Sequence, residues 1–187
     1  MARAAATDSD DAVRDAIGLL ARDQRLLTGL FKEFDLAASQ QLDPLARRLC
    51  KMLRVHLQIK EEILYPAARR ALSEVAPVEQ AESEIRIIRE LVTRVESLNA
   101  DEAAFLPAVH SLSDAFNSHL RREANELLAP LRRTPMDLVS IGITLVERRD
   151  TLMDVLGLHA DDEEAAIYPE ENPAIARAIA ERQRDRH

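Results

Sequence analysis

Five polar residues stand at positions where a helical core would ordinarily be apolar. His56 and Lys60 fall on the stripe of one predicted helix, His119 and Glu123 on another, and Gln24 on a third. A fourth stripe carries Ile85 where a polar member would be expected. A His and a Glu four positions apart face the same way, so His119 and Glu123 are placed to grip one metal ion or hydrogen-bond one partner. With His56 they offer three donors, and three protein ligands plus a water is an ordinary zinc or iron arrangement. The matching position after His56 is Lys60, whose ammonium repels cations. Glu61 and Glu62 lie one and two positions further round the helix and point away from it.

Each of these residues also has a plainer reading. The Lys60 ammonium either pairs with Glu123 in the core, a tolerable arrangement if fully hydrogen-bonded, or snorkels past its neighbours to water. His56 and His119 are either ligands or core imidazoles bonded to Gln24, Glu123 or water. His110 falls off the stripe of its helix and reads as a surface residue, as do His159 and His187. Cys50 reads as a small core filler. Asp23, next to Gln24, is expected at a helix interface or in solvent, away from the site.

The elements that must position these groups are helices. With four Gly, eight Pro and much Ala, Leu, Glu and Arg, the chain favours helix over sheet. A first helix is predicted from Asp10 to Asp35, with Val13, Ile17, Leu20, Gln24, Leu27, Phe31 and Phe34 inward. Asp43-Pro44 reads as an N-cap followed by Pro at the first position of a second helix. That helix turns Leu45, Leu49, Met52, Leu53, His56, Ile59, Lys60, Ile63 and Ala67 inward, and Pro66 is expected to kink its last turns. Residues Ser73 to Pro77 form a linker. A third helix runs from Val78 to Leu98 with Ile85, Ile88, Val92 and Val95 inward. A fourth, Asp101 to Leu128, points Phe105, Val109, Leu112, Phe116, His119, Glu123 and Leu127 inward. The fifth, Met136 to Leu158, has Leu138, Ile141, Leu145, Leu152 and Leu156 as its stripe. The organisation expected is a flexible arm over residues 1–9 and a helical bundle with fifth helix over 10–158. An acidic, Pro-containing extension over 159–187 follows, with a short helix from Ala174 to Arg184. His159, Glu163-Glu164 and Tyr168-Pro169 echo His56, Glu61-Glu62 and Tyr65-Pro66, a similarity expected by chance in a Glu-rich chain.

Composition narrows the function classes. At 187 residues and 47% hydrophobic content the chain suffices for one core. A net charge of −8 argues against nucleic acid and acidic membrane surfaces as partners, and 3% aromatic residues with no Trp weaken any case for base stacking. A single cysteine rules out an intrachain disulfide and suits a reducing compartment. No stretch approaches a transmembrane span, and the N-terminus lacks the apolar segment of a secretory signal, so a cytoplasmic location is expected.

Several stretches resemble the hemerythrin-like family, also called the HHE cation-binding family. Asp15 through Arg25 with Leu30-Phe-Lys-Glu-Phe34 is similar to its first helix, His56 through Pro66 to its His-x3-Glu motif, and Ala81-Glu-Ser-Glu-Ile85 to its third-helix motif. His119-Leu-Arg-Arg-Glu123 resembles the fourth-helix His-x3-Glu, with Pro130 one position late, and Gly142 through Leu152 the helix that often follows the bundle. The resemblance implies an all-α, up-down-up-down four-helix bundle with an additional C-terminal helix. It also implies a family centre of two non-haem irons on His and carboxylate ligands, associated with dioxygen binding, sensing or stress responses. Position by position, His56, His119 and Glu123 retain ligand types, whereas Gln24, Lys60 and Ile85 stand where the family has His, Glu and His. Bridging carboxylates are needed to hold two cations close together, so the resemblance implies a vestigial site.

The expected function is therefore a non-catalytic, degenerate hemerythrin-like protein without cofactor, acting as a regulatory or interaction module. Its partner would be a protein met through the acidic surface or the C-terminal extension. The alternative is a sensor or oxygen-binding protein holding one Zn or Fe ion on His56, His119 and Glu123. The fifth helix either packs on the bundle or joins two copies, so the chain is a monomer or a homodimer.

Overall fold

The computed structural model describes residues 15–158 of the chain, and among them every regular element is helical. Helix α1 (Ala16–Leu36) starts where the Asp15 carboxylate accepts a hydrogen bond from the Gly18 amide at 2.7 Å, satisfying one of the free donors of the first turn. A 3-10 turn over Ser39–Gln41 leads into α2 (Leu42–Ile59), and a π-helical turn over Lys60–Leu64 joins it to α3 (Tyr65–Ala71). Helix α4 (Ala76–Glu96) has Pro77 in its first turn, where a missing amide costs nothing. Helix α5 (Phe105–Glu123) continues through a second π-helical turn, Ala124–Leu128, into α6 (Ala129–Leu131). Helix α7 (Leu138–Val155) is capped by Asp137, which accepts from the Ser140 amide at 3.0 Å. It ends on Gly157 at φ 64°, the left-handed residue that lets the Leu158 amide reach back to the Met153 carbonyl at 2.9 Å.

The two π-helical turns make α2–α3 and α5–α6 continuous rods, so the architecture is an up-down-up-down bundle of four rods with α7 as an extra helix. Helix α1 packs on α2, α2 on α4 and α4 on α5. Ring contacts of Phe31 with Phe116 and Phe34 with Phe105, at 6.0 and 6.1 Å between centroids, close α5 back onto α1. Helix α7 lies against α1 and α2 through Leu145, Leu152 and Met153. Leu20, Leu49, Leu53, Ile85, Val92, Leu112 and Phe116 are fully buried, which places the predicted inward faces of the four rods in one core.

Proline explains why both long rods widen. Pro66 and Pro130 each lack an amide, and in an α-helix each ring would meet the carbonyl four residues earlier. A wider turn, in which the Tyr65 amide bonds the Lys60 carbonyl and the Ala129 amide the Ala124 carbonyl, moves that carbonyl aside. The kink expected at Pro66 is thus a π-helical turn just before it, and the fourth predicted helix, expected unbroken to Leu128, carries a second one.

Two predicted starts move. Asp43 is not the N-cap of the second helix: the Ser39–Gln41 turn already leads in, and Asp43 sits in the first turn bonded to Arg47 at 3.0 Å. The fourth helix begins at Phe105 instead of Asp101, because the Asn99 amide and side chain both donate to Glu102, at 2.7 and 2.9 Å, and hold a turn there. The arm over 1–9, the helix start from Asp10 with Val13, the extension over 159–187, the His159 echo, the Ala174–Arg184 helix and His187 lie outside the described residues.

Candidate functional site

Lys60 occupies the centre of the bundle. It lies at the first residue of the π-helical turn, and its side chain is completely buried. The Nζ donates to Glu123 Oε2 at 2.8 Å and to His119 Nε2 at 2.7 Å, so the reading in which it snorkels to water fails. Tyr65 adds a third contact to the cluster, donating its hydroxyl to Glu123 Oε1 at 2.7 Å while the ammonium lies 5.7 Å from its ring centre. The π-helical turn positions Tyr65: a turn closed by i→i+5 bonds holds one residue more, so the fifth residue after Lys60 returns to its side of the rod.

The cluster continues outward. The Nδ1 of His119 donates to Glu84 Oε2 at 2.9 Å, and Glu84 in turn pairs with Arg122 at the surface. An ammonium at Nε2 needs a lone pair there, so the imidazole is the neutral Nδ1–H tautomer. Its pKa agrees: burial and then the Lys60 charge push His119 down to about 3. Burial pushes the Glu123 carboxyl upward, but the Lys60 charge and the hydrogen bonds from Lys60 and Tyr65 outweigh it and hold Glu123 below the ordinary carboxyl value. Burial also lowers Lys60, opposed by Glu123, and holds the Tyr65 phenol well above its usual value, so Tyr65 stays a donor. A carboxylate, an ammonium, a neutral imidazole and a phenol thus form one connected hydrogen-bonded cluster.

His56 is buried beside this cluster but not bonded into it. Neither ring nitrogen has a hydrogen-bond partner among the described residues, and its ring meets Phe116 edge-on at 6.0 Å. Burial lowers its pKa, so the ring is neutral. The nearest carboxylate is Asp23 Oδ2, 3.6 Å from Nδ1 and too far for a hydrogen bond. Here the expected register of the first helix is corrected. Gln24 is only half-buried, its Nε2 lacks a partner and it does not bond His56, whereas Asp23 is the buried residue. Asp23 accepts from Arg149 Nε of α7 at 3.0 Å, and that charge draws it inward. A cavity of about 10 Å³, the room one water needs, lies between them and His56.

The remaining candidates fall as follows. Ile85 is fully buried and offers no donor atom. Glu61 and Glu62 turn away from the centre, to Arg89 and to Arg148. His110 is exposed beside Asp35. Cys50 is buried, its thiol pushed up to about 12 by burial. Helical periodicity does not single out Tyr65 or Glu84 as site residues, although Tyr65 lies in the same motif as His56 and Glu84 directly precedes Ile85. Arg149 left no mark because its partner is 126 positions away.

The Asp23–Arg149 pair, nearly closed off from solvent, joins α7 to α1. Asp23→Ala should cost about 1 to 3 kcal/mol, and α7 amides should exchange faster while those of α4 hold. Unchanged exchange in α7 would show that apolar packing alone seats that helix.

A four-rod helical bundle with an added C-terminal helix is the architecture that the comparisons return. The sequence profile described as the hemerythrin HHE cation binding domain matches residues 15–131. The chain belongs to the hemerythrin HHE cation binding domain family. A crystal structure of a hemerythrin HHE cation binding domain-containing protein from Mycobacterium kansasii is similar at a TM-score of 0.64 and 16% identity, covering 88% of this chain and 98% of that one. At that identity the likeness concerns the fold. A search of curated proteins finds no match.

Within this family the chain is degenerate, because its centre does not fit cations. His119 Nε2 and Glu123 Oε2, which would face an ion, are 3.6 Å apart and both are bonded to the Lys60 ammonium. Among the described residues no group of three or more His, Cys, Asp or Glu side chains is placed to hold a metal ion. Of the three donors named for a single Zn or Fe ion, His119 and Glu123 are bonded to Lys60, and His56 is not hydrogen-bonded to either. No helix among the described residues is long and apolar enough to cross a membrane.

Proposed function

We propose that this chain is a hemerythrin-like bundle that works without a metal centre, as a regulatory or interaction module and not as a catalyst, in the cytoplasm. The observation that supports it is the Lys60 ammonium bonded to His119 and Glu123 at the middle of the core. One fixed positive charge, covalently attached and always present, takes over from exchangeable cations the task of balancing the buried carboxylate. A bundle organised in this way keeps its shape whatever the supply of iron or oxygen. Function then rests on its surface, and the net charge of −8 favours a protein partner with a basic face, met by the acidic surface or the C-terminal extension.

The test is metal loading. Protein purified without chelator, incubated anaerobically with Fe(II) or with Zn(II) and gel-filtered, should retain far less than one ion per chain and show no gain in Tm. The triple variant Gln24→His/Lys60→Glu/Ile85→His should retain metal, whereas Ile85→His alone should not, because Lys60 stays in place. One ion per unmodified chain, raising Tm and lost in His119→Ala, would refute the proposal.

A further inference from the structure

Helix α7 is apolar on two faces. One face packs on α1 and α2; the other carries Val139, Ile143 and Val146, which are 53%, 56% and 40% exposed, with the exposed Asp150 next in line. These four sit at i, i+4, i+7 and i+11, a single straight stripe along the helix. Asp150, Asp154 and Glu147 cluster toward its C-terminal end, and the last turn has no basic residue to balance the dipole there.

The chain supplies a matching stripe. Residues 159–187 follow directly from the Gly157 turn, and Ile175, Ile179, Arg182 and Arg186 repeat the same i, i+4, i+7, i+11 spacing behind Pro173, a residue suited to open a helix. We propose that the C-terminal segment 174–186 docks as a helix on the exposed stripe of α7. Ile175 and Ile179 cover Val139, Ile143 and Val146, and Arg182 and Arg186 lie against Glu147, Asp150 and Asp154. Charge fixes the direction as parallel. An antiparallel segment would set Arg182 and Arg186 beside the N-terminal end of α7, away from Glu147, Asp150 and Asp154. Reach permits it: α7, with its 18 residues, is about 27 Å long, and residues 159–173 span up to roughly 50 Å when extended. The segment thereby covers the largest run of exposed apolar side chains on α7, and a partner helix of like pattern would have to displace it. This assignment stands whether or not the bundle binds metal.

Thiol labelling of the full chain tests it. Ile143→Cys places a thiol in the stripe, and Cys50, buried and with its thiol pushed up to about 12, stays silent. Labelling of Ile143→Cys should be about tenfold slower than in the same chain carrying Ile175→Asp and Ile179→Asp, at any protein concentration. Arg182→Glu with Arg186→Glu should accelerate it by a smaller factor, and 0.5 M salt should mimic that change. Equal rates with and without the two Asp substitutions, fast or slow, overturn the proposal. Protection that grows with protein concentration and survives those substitutions overturns it too, placing a second copy on the stripe.

Discussion

Lys60→Met should destabilise the bundle by about 3 to 5 kcal/mol near neutral pH. The substitution keeps most of the side-chain volume and removes only the charge and its two hydrogen bonds, so the loss reports electrostatics and not a cavity. Glu123, fully desolvated, is left with the Tyr65 hydroxyl and no positive charge. It must then take up a proton, and its folded-state pKa rises above the unfolded value of about 4.3. An acid with a raised folded pKa binds more protons folded than unfolded, so in this variant its contribution weakens stability as pH rises from about 4.3 and costs nothing below it. The deficit against the unmodified protein should therefore shrink on acidification. Lys60→Met with Glu123→Leu should recover most of the loss, since no orphan charge remains. Urea denaturation of the four proteins gives the coupling energy. A value near zero would mean that Lys60 and Glu123 stabilise independently, and the idea of a built-in cation would fall with it.

The same pairing shows how much of this molecule could be read in advance. Four apolar stripes, and the polar residues interrupting them, located the core and put Lys60 level with His119 and Glu123. Ile85 likewise falls fully inside, as its stripe requires. What escaped were features set by distant or local exceptions to helical periodicity. Asp23 and Gln24 are adjacent, and periodicity alone assigned the inner position to Gln24. The choice is made by Arg149, on a helix whose docking face cannot be known before it docks. Tyr65 faces Glu123 because Pro66 forces a wider turn ahead of it, which swings Tyr65 onto the side of Lys60; an ideal helical wheel puts it elsewhere. Glu84 bonds His119 from the rim of the core, where a helical wheel predicts solvent.

Acid should unfold the protein mainly through His119. Its pKa falls from the ordinary 6.5 to about 3 in the folded chain, with burial first and the Lys60 ammonium second as causes. The Glu84 carboxylate favours the protonated ring from Nδ1, but a second proton would have to sit on Nε2, pointing directly at Lys60 Nζ. Between those two values the unfolded chain binds a proton that the folded chain refuses, so stability is complete above pH 6.5 and falls steadily below it. From pH 6.5 to pH 4 this one group should remove about 3 kcal/mol, at 1.36 kcal/mol per unit. His56, also lowered by burial, adds to the slope in the same direction. Glu123, held below the ordinary carboxyl value, contributes stability that is lost only as pH falls through that lowered pKa. His119→Gln should flatten the curve, because an amide can accept from Lys60 and donate to Glu84 without titrating. It should cost little at pH 7 and leave the variant less sensitive than the unmodified protein at pH 4. Urea unfolding at a series of pH values measures both, and a histidine NMR titration locates the group. Equal losses in the two proteins would assign the acid sensitivity to His56 and leave the protonation state of His119 without consequence for the fold.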